Sequence, residues 1–470
     1  MFKFLEIKQI FPLFIFIIIA CSSSKNISTD KSFLNNSEEE QTISTENDEI
    51  NEIKNDIIED LDIQLPTNLL FRDHNYVPNI ASVQCYRKGF DQSIPIIAFE
   101  SSEQIILKFD DFNEDRKNYY VKLIHCDALW TPSPLETHEY LDGFDQDEII
   151  KIDPSFNTYH NYTHYQYTFP NDQLKLSKSG NYLLIIFDDN DINKLVLTRK
   201  VYLRHTRAII EGQVTKPASP KYIYTNQAIK FNVDLNGFDV NNIFDDVRVI
   251  ISQNNRWDNM IADLKPTFAN NSKLTYYHQD NNHFPGGKEY RTIDTRNLNF
   301  QSERIKSIIT GNPTRIILKT DEFRSFINKM EWKDLNGKFS IATTEGENSD
   351  LESEYTKVAF FLKPAHKNEY DEGNIYLFGA MTNWDIDENY LFKYNYNSHL
   401  YELNLLLKQG VYNYHYAFIN HNDKNVDIGF IEGNSKDTEN DYTVFVYAKS
   451  LGENYDALIG YKIINSIKHE

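Results

Sequence analysis

Thr163–Phe169, THYQYTF, decides the fold class. Thr163, Tyr165, Tyr167 and Phe169 share one side of an extended chain, and Tyr162, His164 and Gln166 share the other. A period of two in aromatic and β-branched residues marks a half-buried strand. The same texture extends in both directions. Ile105–Phe109 and Tyr119–Ile124 precede it, while Tyr182–Phe187, Leu195–Leu203, Ile229–Val233 and Val247–Ile251 follow, each bounded by turn residues. Helical spacing is scarce. Phe323, Phe326, Ile327 and Met330 carry it within Asp321–Trp332, where Asp321 stands as an N-cap. Short strands with frequent turns imply an all-β chain of tandem immunoglobulin-like sandwiches.

Sandwich-sized blocks are expected at 66–205, 206–365 and 366–465. Thr215–Pro220 and Pro364–Asp371, polar and Pro-containing, lie near the last two joins. An aromatic share of 14%, with 30 Tyr and 31 Phe, fills several cores and excludes a disordered chain.

Ahead of these blocks the composition changes. Residues 1–21 read MFKFLEIKQIFPLFIFIIIAC, with Lys3 and Lys8 before the apolar run Phe11–Ile19. That run is shorter than the roughly 20 residues a membrane span needs. Ile18-Ile19-Ala20-Cys21 has the form of a lipoprotein cleavage site, so residues 1–20 are expected as a signal peptide and Cys21 as the lipidated N-terminus. Residues 21–65 read as an acidic, disordered tether with a random-coil reach of roughly 35 Å. Within them, 38–62 hold eleven acids and the single base Lys54, close to half of the chain's net −21. Ile50, Ile53, Ile57 and Leu61 fall at near-helical spacing, with Thr45 and Asp48 as caps. A short helix that docks on a partner and a solvated leash are both compatible with that pattern. The net charge excludes nucleic acid as a partner, because such binding rests on Lys and Arg neutralising phosphates.

No catalytic set emerges. The chain lacks G-x-S-x-G, H-E-x-x-H, a P-loop and C-x-x-C. His160 and His164 have the spacing of a metal pair, but only a helix would bring them together, and their surroundings are strand-like. His125 and Cys126 are adjacent, so a strand sends them to opposite faces and not into a nucleophile pair. Cys85 and Cys126 are compatible with a bridge or with two separate thiols. Among 69 acids nothing selects a catalytic pair. The chain therefore reads as a non-enzyme without cofactor or metal.

Ile375–Trp384, IYLFGAMTNW, precedes a patterned segment in which Tyr401, Leu403, Leu405 and Leu407 alternate, Gly410 turns, and Tyr412, Tyr414, Tyr416 and Phe418 alternate back as a hairpin. This block resembles the early-set immunoglobulin-like sandwich of starch- and glycogen-binding modules. Trp384 matches the aromatic after the first strand, either as a sugar platform or as a packing residue. A carbohydrate-binding lipoprotein is thus the alternative function.

Four further stretches run in a recognisable order. They are YYVKLIHCDALWTPSPLETHEYLDGF (119–144), DPSFNTYHNYTHYQYTFP (153–170), QNNRWDNMIADLKPTF (253–268) and FPGGKEYRTIDTR (284–296). Together they resemble the plug protein family of the type IX secretion system of Bacteroidetes, over about residues 66–450. The residues carrying the likeness are His125, Cys126, Trp130, Tyr140, Gly143, Phe144, Asn157, Thr158, Tyr162, Thr163 and His164. Asn254, Arg256, Trp257, Asp258, Gly286, Gly287, Tyr290 and Arg291 follow, with Trp384 beyond them. The resemblance implies a protein that binds the periplasmic mouth of a very large outer-membrane barrel and closes it while no cargo is engaged. Trp130 and Trp257 are expected as large core fillers, and Gly286-Gly287 as a turn too tight for a side chain. Arg256, Arg291 and Arg296 are expected to pair with acids between sheets or across a joint. Neutral Ser22–Ser24 and the distance to the first acidic run favour the periplasmic face of the outer membrane.

Overall fold

The computed structural model describes residues 65–467, apart from positions 114, 263, 271, 278–280, 327–331, 367 and 423–424. The signal peptide, Cys21, the tether and the helix expected over Ile50–Leu61 lie outside the described residues. Among the described residues no helix is long and apolar enough to cross a membrane.

The all-β expectation holds. In the first sandwich, one sheet orders His74–Asn75, Leu195–Arg204, Gly180–Asp188, Tyr119–Cys126 and Gln146–Glu148. Ile80–Arg87, Ile105–Asp111, Thr163–Phe169 and Lys151–Pro154 form the facing sheet. Alternation decides which side chains meet. Tyr119, Val121 and Leu123 point inward with Tyr182, Leu184 and Ile186, against Leu107, Phe109, Tyr165 and Phe169. The opposite face of the first sheet is also buried. Ile124, Cys126, Leu183, Ile185 and Phe187 pack there against Trp130, with Leu65, Leu69 and Phe71 laid over them. Cys85 borders the inner core while Cys126 belongs to the outer one, and both thiols are free.

The remaining strands do not divide in chain order. Val247–Gln253 pairs with Asp441–Ala448, which pairs with Ala457–Asn465. This sheet shares its core with one that contains Ile209–Thr215, Asn226–Asp234 and Lys273–Tyr276. The second sandwich thus takes its last two strands from the end of the chain and crosses the boundary expected at 365. Strands from Arg291–Asp294 to Val426–Asp427 build a third sandwich, inserted between Pro285 and Asp441.

Two local readings are corrected. Leu400–Lys408 and Gly410–Asn420 do alternate, but they form no hairpin. The first pairs with Tyr355–Lys363 and Lys393–Asn395, whereas the second pairs with Arg291–Asp294, Phe339–Ile341 and Gly373–Phe378 in the facing sheet. The chain crosses the sandwich at Gln409. There Gln409 N–H donates to Glu354 O at 2.8 Å, and Gly410 N–H donates to Thr295 Oγ1 at 3.0 Å. A Cβ on Gly410 would stand 2.3 Å from Ser340 O. Second, Asp321 does not start a helix, while Ile327 and Met330 of the expected helical face lie outside the described residues. Asp321–Glu322 is a short strand beside Leu362–Lys363, and 323–326 are non-helical. Its carboxylate is occupied by Arg291, Arg304, Tyr414 and Tyr416, leaving it no capping role.

Candidate functional site

Two junctions concentrate the polar chemistry. The first joins the first and third sandwiches. Asp110 ends the apolar strand Ile105–Asp111 and is 1% exposed. Its Oδ2 accepts from Lys408 Nζ at 2.6 Å and from Tyr355 Oη at 2.7 Å. Its Oδ1 lies 2.6 Å from His164 Nδ1. Lys408 Nζ also donates to Asp350 O at 2.7 Å and sits 4.1 Å above the Tyr162 ring. Burial pushes the Lys408 ammonium below its usual pKa, while Asp110 works against that shift. Burial also opposes ionisation of Asp350, but the Lys108 ammonium at 2.6 Å outweighs it and holds the carboxyl below its usual range. A charge in such a place persists only when it is paired and hydrogen-bonded.

The second junction is a cavity of about 520 Å³ where the second and third sandwiches meet. Asn254, Arg256, Trp257 and Asp258 contribute to its lining, as do Gly286, Gly287, Tyr290, Trp384 and the segment Val426–Gly429. Arg256 forks onto Asp258, with Nε at 3.0 Å and Nη2 at 2.5 Å, and its guanidinium faces the Phe378 and Trp384 rings. Trp257 Nε1–H donates to Asn383 O at 3.0 Å, under Arg72, which pairs with Asp385. The Tyr290 ring stacks on His415 at 3.8 Å. Burial lowers the His415 pKa to about 3, so the ring is neutral. Arg256 pairs with Asp258 and Arg72 with Asp385, so the cavity is a polar seam.

Residues 80–205 match the family model described as "Type 9 secretion system plug protein 1st domain". Over that stretch the chain is similar to the first domain of a type 9 secretion system plug protein. A hypothetical protein from Parabacteroides merdae, known from its crystal structure, superposes with a TM-score of 0.80 at 28% identity, covering 85% of this chain and 100% of that one. No curated protein matches.

The plug domain holds eleven of the sequence-selected residues, and they scatter over three places. His125, Cys126, Trp130 and Tyr140 are interior. His125 Nδ1 lies 2.8 Å from Ser133 Oγ, and burial lowers its pKa to about 4. Trp130 packs on Tyr202, with Lys200 over its ring. Gly143 approaches Gln173 so closely that a Cβ would stand 2.3 Å from its carbonyl oxygen, and the neighbouring Phe144 is exposed. Asn157, Thr158, Tyr162, Thr163 and His164 belong to the first junction, either in its loop or in the strand beside it. His160 turns away from His164, edge-on to Phe112.

Beyond the plug domain, Trp257 lines the cavity and is partly buried against the small core cluster of Tyr290, Phe378 and Trp384, at the edge of a core instead of inside one. Gly286 lies so near Ser435 O that a Cβ would come within 2.0 Å, and Gly287 has φ +63°. Arg291 is buried against Glu432 and Asp321, while Arg296 pairs with its near neighbour Asp294. Trp384 is 7% exposed and packs on Phe378, so it offers no platform for a sugar.

Sequence reasoning passed over Asp110, Lys408 and Glu354, which hold the first junction, and Glu432, which pairs with Arg291 and Arg324 inside the third sandwich. The sequence pattern pointed the other way. Asp110 and Lys408 lie off the alternating apolar faces of their strands, Leu107 and Phe109 in one and Leu405 and Leu407 in the other, where the pattern places a charge in solvent.

Proposed function

We propose that this chain is a non-enzymatic plug, lipid-anchored through Cys21 at the periplasmic face of the outer membrane. It binds the large barrel of the type IX translocon and closes it while no cargo is engaged. The plug-family domain over 80–205 is the observation that carries this reading. The junctions supply a physical reason why the body suits the task. A wide pore needs a blocking body that does not deform, and a buried ion pair with a tyrosine hydrogen bond beside it fastens the plug domain to the third sandwich. A lipid anchor would raise its effective concentration at the pore. The glycan-binding alternative loses its support once Trp384 is buried.

The test is deletion in the native host, read as entry of an antibiotic too large for ordinary porins. Deletion is expected to sensitise cells, and removal of the barrel as well is expected to restore resistance. Unchanged resistance after deletion would refute the plug. A Cys21→Ser chain is expected to leave the membrane fraction and to complement poorly.

A further inference from the structure

Phe156 and Tyr159 are 60% and 68% exposed, on the loop between Lys151–Pro154 and Thr163–Phe169. Exposed aromatics are common on loops that move, but this loop is pinned. Phe156 N–H donates to Leu351 O at 2.9 Å. Tyr159 N–H and His160 N–H both donate to the Glu354 carboxylate, at 2.5 and 3.1 Å. Ser155 braces the loop from within, accepting at Oγ from Tyr162 N–H at 3.0 Å and from Thr158 Oγ1 at 3.1 Å. Tyr162 Oη anchors the far end on Asp350 O and Ser353 O.

The usual arrangement of a surface loop is thereby inverted. The backbone N–H groups of Phe156, Tyr159, His160 and Tyr162 are satisfied inward, and its two large apolar side chains face water. Rigid aromatics lose little freedom when a partner covers them, which is the profile of a binding hot spot. The segment that clamps the loop, Glu345–Glu354, carries five carboxylates and no base. Among the described residues only Asp350 of these five is ion-paired with a lysine, Lys108. The aromatic pair therefore stands beside a negative field.

We infer that the Phe156–Tyr159 loop is the docking knob of this protein, and that its seat is an apolar pocket rimmed by Lys or Arg on the periplasmic side of the translocon barrel. The inference rests on the plug reading and assigns its contact surface.

The experiment uses the full chain in its native host. Benzoylphenylalanine is placed at position 156 and, as a control, at Phe300, which is 75% exposed. Crosslinking to the barrel is expected from 156 and not from 300. A Phe156→Ser/Tyr159→Ser double variant is expected to keep its melting temperature and to lose at least tenfold of the co-isolated barrel. A Glu347→Lys variant is expected to weaken co-isolation as well. A folded double variant that retains the barrel at the wild-type level would overturn the inference and leave the plug reading standing, as would tighter binding by Glu347→Lys. If the wild-type chain itself brings down no barrel, both fall together.

Discussion

Lys408 crosses from the third sandwich to place its Nζ 2.6 Å from the Asp110 carboxylate of the first, with both side chains about 2% exposed. Replacing Lys408 by Met leaves Asp110 as a buried charge with only neutral donors and His164 around it. The expected cost is about 3–5 kcal/mol. Asp110→Asn in the same chain removes the stranded charge and should recover most of it. Urea unfolding of the two single variants and the double gives the coupling. An additive double variant would show that the pair does not hold the joint.

Gly337 and Trp384 set up a second test. Gly337 has φ +81°, and a Cβ there would stand 2.2 Å from the Trp384 ring. Gly337→Ala therefore meets both backbone strain, about 1–2 kcal/mol, and a clash. Trp384→Phe shortens the ring and relieves the part of the clash that Trp384 makes, while Tyr290 Cε1 stays 2.7 Å from the added Cβ. The double variant is expected to be less destabilised than the sum of the two singles. Thermal melting of the four proteins checks this.

How much of this was legible depends on the range of the interaction. Thr163–Phe169 is a strand with the expected bounds, because a period of two is local and needs no knowledge of its partners. The hairpin expected around Gly410 failed for the opposite reason. Two alternating strands joined by a glycine look alike whether they pair or face each other across a core. What separates them is the Gln409 bond to Glu354, 55 residues away. The return of Asp441–Asn465 to the second sandwich is non-local in the same way. At the site, glycines and tryptophans stood out as residue types. The carboxylates and the lysine that lock the joints did not, since an acid or base near a strand end is ordinarily solvated.

Arg291 and Glu432 show the cost of such locks at acid pH. Glu432 is fully buried, and Arg291 reaches it through Nε at 3.0 Å and Nη2 at 3.0 Å. Burial opposes ionisation, but Arg291 and Arg324 outweigh it and hold the carboxyl far below its usual range. A depressed carboxylate stabilises the fold above its unfolded pKa, and that stability is lost as pH falls. Arg291→Met is expected to cost about 3–5 kcal/mol at pH 7 and to move acid unfolding toward neutral pH. Arg291→Lys keeps the charge but not the fork and should fall between. Unchanged acid unfolding in Arg291→Met would refute the pairing.

Glu289 and Asp334 act in the opposite direction. Glu289 Oε1 accepts from Glu439 N–H at 3.0 Å, and Asp334 Oδ2 accepts from Tyr290 N–H at 2.5 Å. Burial is the main cause that pushes Glu289 up to about 7 and Asp334 up to about 6; the Asp334 and Glu439 charges add to the first shift, and the Glu439 charge adds to the second. Between their unfolded values and these raised ones, the folded chain binds protons that the unfolded chain has released. Their contribution is therefore fully present below about pH 4, the unfolded carboxylate range, and is lost as pH rises through 6 to 7. Buried His415 and His125 work against them, since their lowered pKa values remove stability as pH falls below about 6.5. Glu289→Gln isolates one term, because the amide oxygen can still accept from Glu439 N–H. The variant should match the wild type in its pH dependence except for one slope. Its stability relative to wild type should rise between pH 5 and pH 8 by on the order of 2 kcal/mol. Urea midpoints at the two pH values measure the difference, and a constant offset would mean that Glu289 ionises as freely in the fold as in the open chain.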